Sequence, residues 1–92
     1  MGYGAITVGT GATLIVAANT KRQVLHITNM SEVQICWIGP DENITTGNAI
    51  PLYETQTRDQ TKDFGSWLGP VYGITNTGSA VTVNVRYWEV ER

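Results

Sequence analysis

The chain predicts an all-β fold, a small antiparallel β-sandwich or barrel of about seven short strands. Three observations lead there. In the final third, Val81, Val83, Val85 and Tyr87 alternate with Thr82, Asn84, Arg86 and Trp88. A period of two sends those two sets to opposite faces of a sheet. Short apolar or β-branched runs then recur along the whole chain, each closed by turn-forming residues, which is the spacing of a sandwich or barrel. Finally, no stretch sustains an apolar period near 3.6 residues, and no helix start is matched by a helix stop.

Taken in order, the first strand is expected over residues 5–8, broken by Gly9, Gly11 and Ala12. The second covers 13–17 and ends at the turn Asn19-Thr20-Lys21-Arg22, since Asn favours turns through its local hydrogen bonding. The third covers 23–29, with Leu25 and Ile27 on one face and Val24, His26 and Thr28 on the other. The fourth, 33–38, is apolar on both faces and is expected in the middle of a sheet. The fifth, 49–53, contains Pro51, which lacks the N–H a ladder needs and so belongs at a sheet edge. The polar stretch 54–63 (ETQTRDQTKD) reads as a surface loop or a solvated hairpin. Strands at 71–75 and 80–88, joined by Asn76-Thr77-Gly78-Ser79, complete the set.

Ninety-two residues make one domain, 1–92, with residues 1–4 expected as a flexible N-terminal arm. At this size a domain buries roughly 60–65% of the surface its unfolded chain exposes, so self-association is a natural supplement. Charged residues are 15% of the chain, against about 25% in an average domain. A surface so weakly charged repels other proteins poorly. The net charge of −2 is not the footprint of a nucleic-acid binder, and Lys21 and Arg22 read as part of a solvated turn. The single cysteine, Cys36, precludes an internal disulfide and suits a reducing compartment. It sits in the run Ile35-Cys36-Trp37-Ile38 and reads as a buried, inert thiol. The longest apolar run, Leu14 to Ala18, is too short for a leader or a membrane span, so no membrane partner is expected.

No catalytic, cofactor-binding or metal-ligating set is expected, and the chain does not read as an enzyme. His26, the one histidine, has apolar strand neighbours and no zinc-type spacing to Cys36. The acids Asp41, Glu42, Asp59, Asp63, Glu89 and Glu91 fall in loops and at the C-terminus and read as solvated charge. Gly2, Gly4, Gly9 and Gly11 lead into a strand, whereas a phosphate loop leads into a helix. The tryptophans say more. Trp37 reads as core. Trp88 reads as cover for an outer surface. Trp67, beside Leu68 in a glycine-rich stretch, either forms a contact surface or folds back over an open end. Trp67, Leu68 and Tyr3 are the candidate protein-interface residues, because aromatic anchors dominate interfaces. An exposed Trp67 or Trp88 would also suit stacking on a sugar ring.

The segment 14–29 (LIVAANTKRQVLHITN), with Trp37-Ile38-Gly39, Ala49-Ile50-Pro51-Leu52 and Gly69-Pro70-Val71-Tyr72-Gly73-Ile74, resembles a pattern in small virion structural proteins of tailed bacteriophages. Those carry an apolar strand ending near "AN", a basic turn, a strand of the form "xLxIxN", and a "G-x-V-Y-x-I" strand before a final valine-rich one. The resemblance covers roughly residues 12–90. It implies a head decoration, cement or head-fibre type β-sandwich with no catalytic residues. Its expected partners are the major capsid protein or other virion proteins and further copies of itself, with a trimer favoured. Its expected place is the virion. The alternative implied is a carbohydrate- or receptor-binding module of a phage fibre or tail. The charged segment 54–63 is longer and more polar than the pattern and would suit a loop reaching a neighbouring subunit.

Overall fold

A computed structural model describes residues 2–31, 34–54, 61–63, 67–75 and 82–91. Among these residues there are eight strands: β1 (Gly2–Val8), β2 (Thr13–Val16), β3 (Arg22–Asn29), β4 (Cys36–Gly39), β5 (Ile50–Leu52), β6 (Thr61–Asp63), β7 (Val71–Thr75) and β8 (Val83–Glu91). They form two antiparallel four-stranded sheets, ordered β1-β8-β3-β6 and β2-β7-β4-β5. β1 pairs with β8, β2 with β7, β3 with β6 and β4 with β5. The first half of the chain therefore runs back along the second half as one long ribbon, folded so that β3 also meets β8 and β4 meets β7. Eight strands wrapped this way into two sheets make a double-sheet jelly roll.

The all-β sandwich read from the sequence is thus the fold. Pro51 lies in the edge strand β5, and β4 lies inside its sheet. Four details differ. The eighth strand, β6, lies at the end of the polar stretch 54–63, where composition hides it; residues 55–60 of that stretch fall outside the described residues, as do Phe64 and the turn 76–79. From Gly2 onward the expected arm is β1, held by continuous register from Gly2 opposite Glu89 to Val8 opposite Val83. Trp37 is not core. Cys36 and Ile38 take the inward phase of β4, so Trp37 faces outward between its register partners Ile74 and Pro51, half-buried. Arg22, finally, is not in a solvated turn but is 2% exposed. Its strand carries one extra residue between Arg22 and Val24 relative to β8. A bulge of that kind reverses which face a side chain takes, and Arg22 turns inward ahead of Leu25 and Ile27.

The core lies between the sheets. Val8, Leu25, Ile27, Cys36, Leu52, Val83 and Val85 are each fully or almost fully buried there. The β8 alternation holds: Val83 and Val85 are buried, Tyr87 packs against the core, and Asn84, Arg86 and Trp88 are exposed. Gly73 is hemmed in: a Cβ there would stand 2.7 Å from Ile15 Cδ1 and 3.1 Å from Cys36 Sγ of its own sheet, and 3.3 Å from Val8 Cγ2 of the facing one. A larger residue there would force the core apart.

The two ends of the sandwich are closed by polar side chains. At the Arg22 end, the guanidinium donates from Nε to Glu89 Oε2 (2.8 Å), from Nη1 to the carbonyls of Trp67 (2.8 Å) and Gly69 (3.0 Å), and from Nη2 to the carbonyl of Ala17 (2.8 Å). It ties the start of β3 to the segments that follow β2 and precede β7. At the opposite end, the buried Asn29 donates from Nδ2 to the carbonyls of Gln34 (2.8 Å) and Leu52 (3.0 Å) and accepts from the Ser31 N–H (2.8 Å). Nearby, the Thr75 hydroxyl donates to the Ile35 carbonyl (3.0 Å). Among the described residues no buried side-chain nitrogen or oxygen lacks a partner.

Candidate functional site

The outward set on sheet β1-β8-β3-β6 brings three rings onto one rung. Tyr3 is the register partner of Trp88, and Trp88 is the partner of His26. The His26 and Trp88 rings stack at 5.7 Å between centroids with 19° between planes, a geometry worth about 0.5–1.5 kcal/mol beyond area burial. Tyr3 is 83% exposed and Trp88 49%. The half-buried Val24 and Val90, themselves register partners, continue the face on one side. On the other side lies the rung of Ala5, Arg86 and Thr28. The result is a row of aromatic residues bordered by aliphatic carbon and one guanidinium, its backbone positions set by main-chain pairing.

A second apolar surface lies beside Trp67. Ile38, Gly39, Pro40, Ile50, Trp67 and Val71 line a groove of about 170 Å³ without polar lining. That is room for one aromatic ring, since an apolar cavity of about 150 Å³ takes benzene. Trp67 is 42% exposed and Ile50 61%. Trp67 lies against Gly69, where a Cβ would collide with the indole, and its Nε1–H donates to the Pro70 carbonyl (2.9 Å). The ring is therefore fixed, and Arg22 fixes the main chain on either side of it by holding the Trp67 and Gly69 carbonyls. On the groove's other flank the 40–49 tip is self-braced. Asp41 accepts from the Asn43 N–H (2.9 Å), Asn48 accepts from the Thr45 N–H (2.7 Å), and the buried Ile44 packs over Gly39.

The three residues singled out from the sequence do not form one site. Tyr3 belongs to the aromatic row, whereas Trp67 belongs to the groove. Leu68 is half-buried, and its carbonyl accepts from the Asn19 N–H (2.8 Å), so it holds the loop more than it presents a surface. Sequence reading missed His26 as a stacking partner and missed Arg22 and Glu89 as a buried pair. Glu89 was legible, because it continues the inward phase of Val83, Val85 and Tyr87 and an inward carboxylate needs a cation.

Two titratable groups are shifted by their surroundings. Burial pushes the Cys36 thiol from its ordinary 9.0 up to about 12, the opposite of what a nucleophilic cysteine needs. The Glu91 carboxyl is held below its ordinary value, first by the hydrogen bond from Asn19 Nδ2 (3.0 Å). Among the described residues no three His, Cys, Asp or Glu side chains gather to hold a metal ion. What these surfaces offer is contact area: aromatic and aliphatic side chains exposed on paired strands. Compared with protein-family models, curated proteins and solved structures, the chain finds no match.

Proposed function

We propose that this chain is a virion structural protein, a non-catalytic capsid decoration or cement-type β-sandwich of a tailed bacteriophage that associates with itself and braces or decorates the capsid shell. The observation that carries the reading is the display of Tyr3, Trp88, Ile50 and Trp67 as exposed large side chains on a braced β framework. Buried aromatic anchors supply most of the energy of protein interfaces, and a charged fraction of 15% opposes close packing weakly. The architecture agrees at the level of analogy, since double-sheet jelly rolls serve viral capsid and lectin domains among others. The mechanism would be burial of these surfaces against the major capsid protein or another virion protein. A ligand that binds only the assembled shell raises that shell's stability by mass action.

The test looks for a major capsid gene beside the gene for this chain and uses shells assembled from its product; a neighbourhood without one counts against the reading. The chain is expected to sediment with the shells and to raise their disruption temperature, with both effects reduced by Trp67→Ala or Trp88→Ala. Shells that leave the chain in the supernatant at about 100 μM, a concentration that would expose even a weak transient contact, would sink the reading.

One observation favours a second reading. The Tyr3–Trp88–His26 rung carries exposed aromatic side chains and is bordered by Arg86 and Thr28, which suits contact with a sugar ring and polar contacts at its edge. In that case the chain is a carbohydrate- or receptor-binding module of a fibre or tail. A glycan panel would then quench tryptophan fluorescence, and Trp88→Ala would abolish the response.

A further inference from the structure

The four sheet edges are not alike. β5 is three residues long and contains Pro51. β6 is three residues long with Lys62 and Asp63 in its sequence. β2 is four residues long and its pairing is broken by a shift between Leu14 and Val16. Short length, proline, charge and bulges are the devices by which edge strands avoid adding further strands. β1 has none of them. It is seven residues long, GYGAITV, without charge or proline, and its register to β8 is unbroken. Among the described residues β8 is its one strand neighbour, and no strand pairs with the opposite side of β1.

We propose that β1 pairs antiparallel with β1 of a second copy, centred on Ala5 opposite Ala5, to join two four-stranded sheets into one of eight strands. This names the seam of the self-association in the reading above and rests on it to that extent. The occupant is a second copy because the strand is complementary to itself in that register. On the inward face Gly4 would oppose Ile6 and Gly2 would oppose Val8, small against large at each rung. The glycines are already covered by their own chain: a Cβ on Gly4 would stand 2.7 Å from the Tyr87 ring, and Glu89 lies over Gly2. Ile6, inward yet half-exposed because its strand is at the edge, would gain the Tyr87 ring of the partner as a neighbour. On the outer face Tyr3 would oppose Thr7, covering the most exposed of the large hydrophobic side chains. The same strand meeting itself gives a two-fold, isologous interface. The unit is therefore a dimer, and the trimer expected from the sequence would need a different seam.

The experiment is sedimentation equilibrium on the full chain with charge variants at Ala5, an exposed position facing away from the core. Ala5→Lys and Ala5→Glu each place like charges opposite one another at the two-fold axis. Each is expected to weaken the dimer about tenfold or more, with an unchanged far-UV circular dichroism spectrum. An equimolar mixture of the two is expected to recover the dimer as a heterodimer. A monomer at all concentrations, a trimer, or a dimer indifferent to charge at residue 5 would overturn the inference. The shell experiment reads separately: a monomer that still sediments with shells overturns the β1 seam alone, whereas a β1 dimer that ignores shells overturns the capsid reading alone.

Discussion

The two ends of the sandwich solve one problem with different chemistry. Where strands stop, main-chain carbonyls lose their ladder partners, and a buried carbonyl left alone costs about 1–3 kcal/mol. At the Asn29 end a neutral amide and a hydroxyl supply the donors. At the Arg22 end a guanidinium with 0% side-chain exposure supplies four, one of them to a carboxylate that is 14% exposed. A neutral clasp is cheap to desolvate and fails locally. A charged clasp is costly to desolvate, so it is all-or-none: take one partner away and the other is stranded. The charged clasp also sits where the molecule presents Trp67, whose carbonyl it holds, whereas the aromatic rung lies midway between the two ends. The end that holds the Trp67 groove is the end built to have one geometry.

That contrast fixes an order of effects. Arg22→Ala strands Glu89 and three carbonyls and is expected to cost about 3–5 kcal/mol in urea unfolding. The pair Arg22→Met with Glu89→Leu removes both charges and should recover the part of that loss due to the stranded carboxylate, while the three abandoned carbonyls keep the rest and the Trp67 fluorescence still reports a loosened loop. A single-variant loss below about 1 kcal/mol, the scale of an ordinary exposed ion pair, would erase the contrast. Asn29→Ala should cost less, about 2–3 kcal/mol, because the groups it abandons are neutral; a loss equal to that of Arg22→Ala would show that charge is not the deciding variable.

The layer between the ends supplies a pH baseline. The unfolded chain's Cys36 thiol loses its proton near 9.0, whereas the folded one keeps it to about 12. The folded state then binds the extra proton, so the contribution is intact below pH 9 and falls between those values as pH rises, by roughly 1 kcal/mol per pH unit. Cys36→Ala should lower stability at pH 7 yet flatten that alkaline slope; an unchanged slope would assign it to other groups. The smallest effect belongs to the exposed Glu91–Asn19 contact at the rim of the Arg22 end. A lowered carboxyl contributes above its unfolded value and loses that contribution as pH falls through its folded one. Wild type and Glu91→Gln should therefore differ slightly in Tm at pH 7 and converge in acid.

Alternation made most of this legible. Leu25, Ile27 and Asn29 share one phase of β3, Val83, Val85 and Glu89 share one of β8, and Val71, Gly73 and Thr75 share one of β7. Phase alone points each of those polar residues inward, although Glu89 reads from the sequence as solvated charge. Arg22 was not, because the inserted residue in β3 reverses the phase and nothing local announces a bulge. β6 was hidden for another reason: three residues are too few to display an alternation. Trp37 misled because a strand apolar on both faces does not say which face meets the core. The aromatic rung needed register between β1, β8 and β3, which pairs residues from the two ends and the middle of the chain, a relation no window of sequence contains.

The ribbon's pairing also dictates the route by which the molecule can assemble. β4 and β5 are the closest partners along the chain, and each further pair, from β3 with β6 to β1 with β8, must wait for a longer loop to close. Folding should nucleate around Ile38 and Leu52 and reach Val8 last, so Ile38→Val is expected to slow refolding while Val8→Ala chiefly speeds unfolding; the reverse partition would refute a zipper running outward from the tip. The last strand expected to dock is the one with the open edge, so with the proposed β1 seam a newly made chain would remain a single copy until its own ribbon is complete.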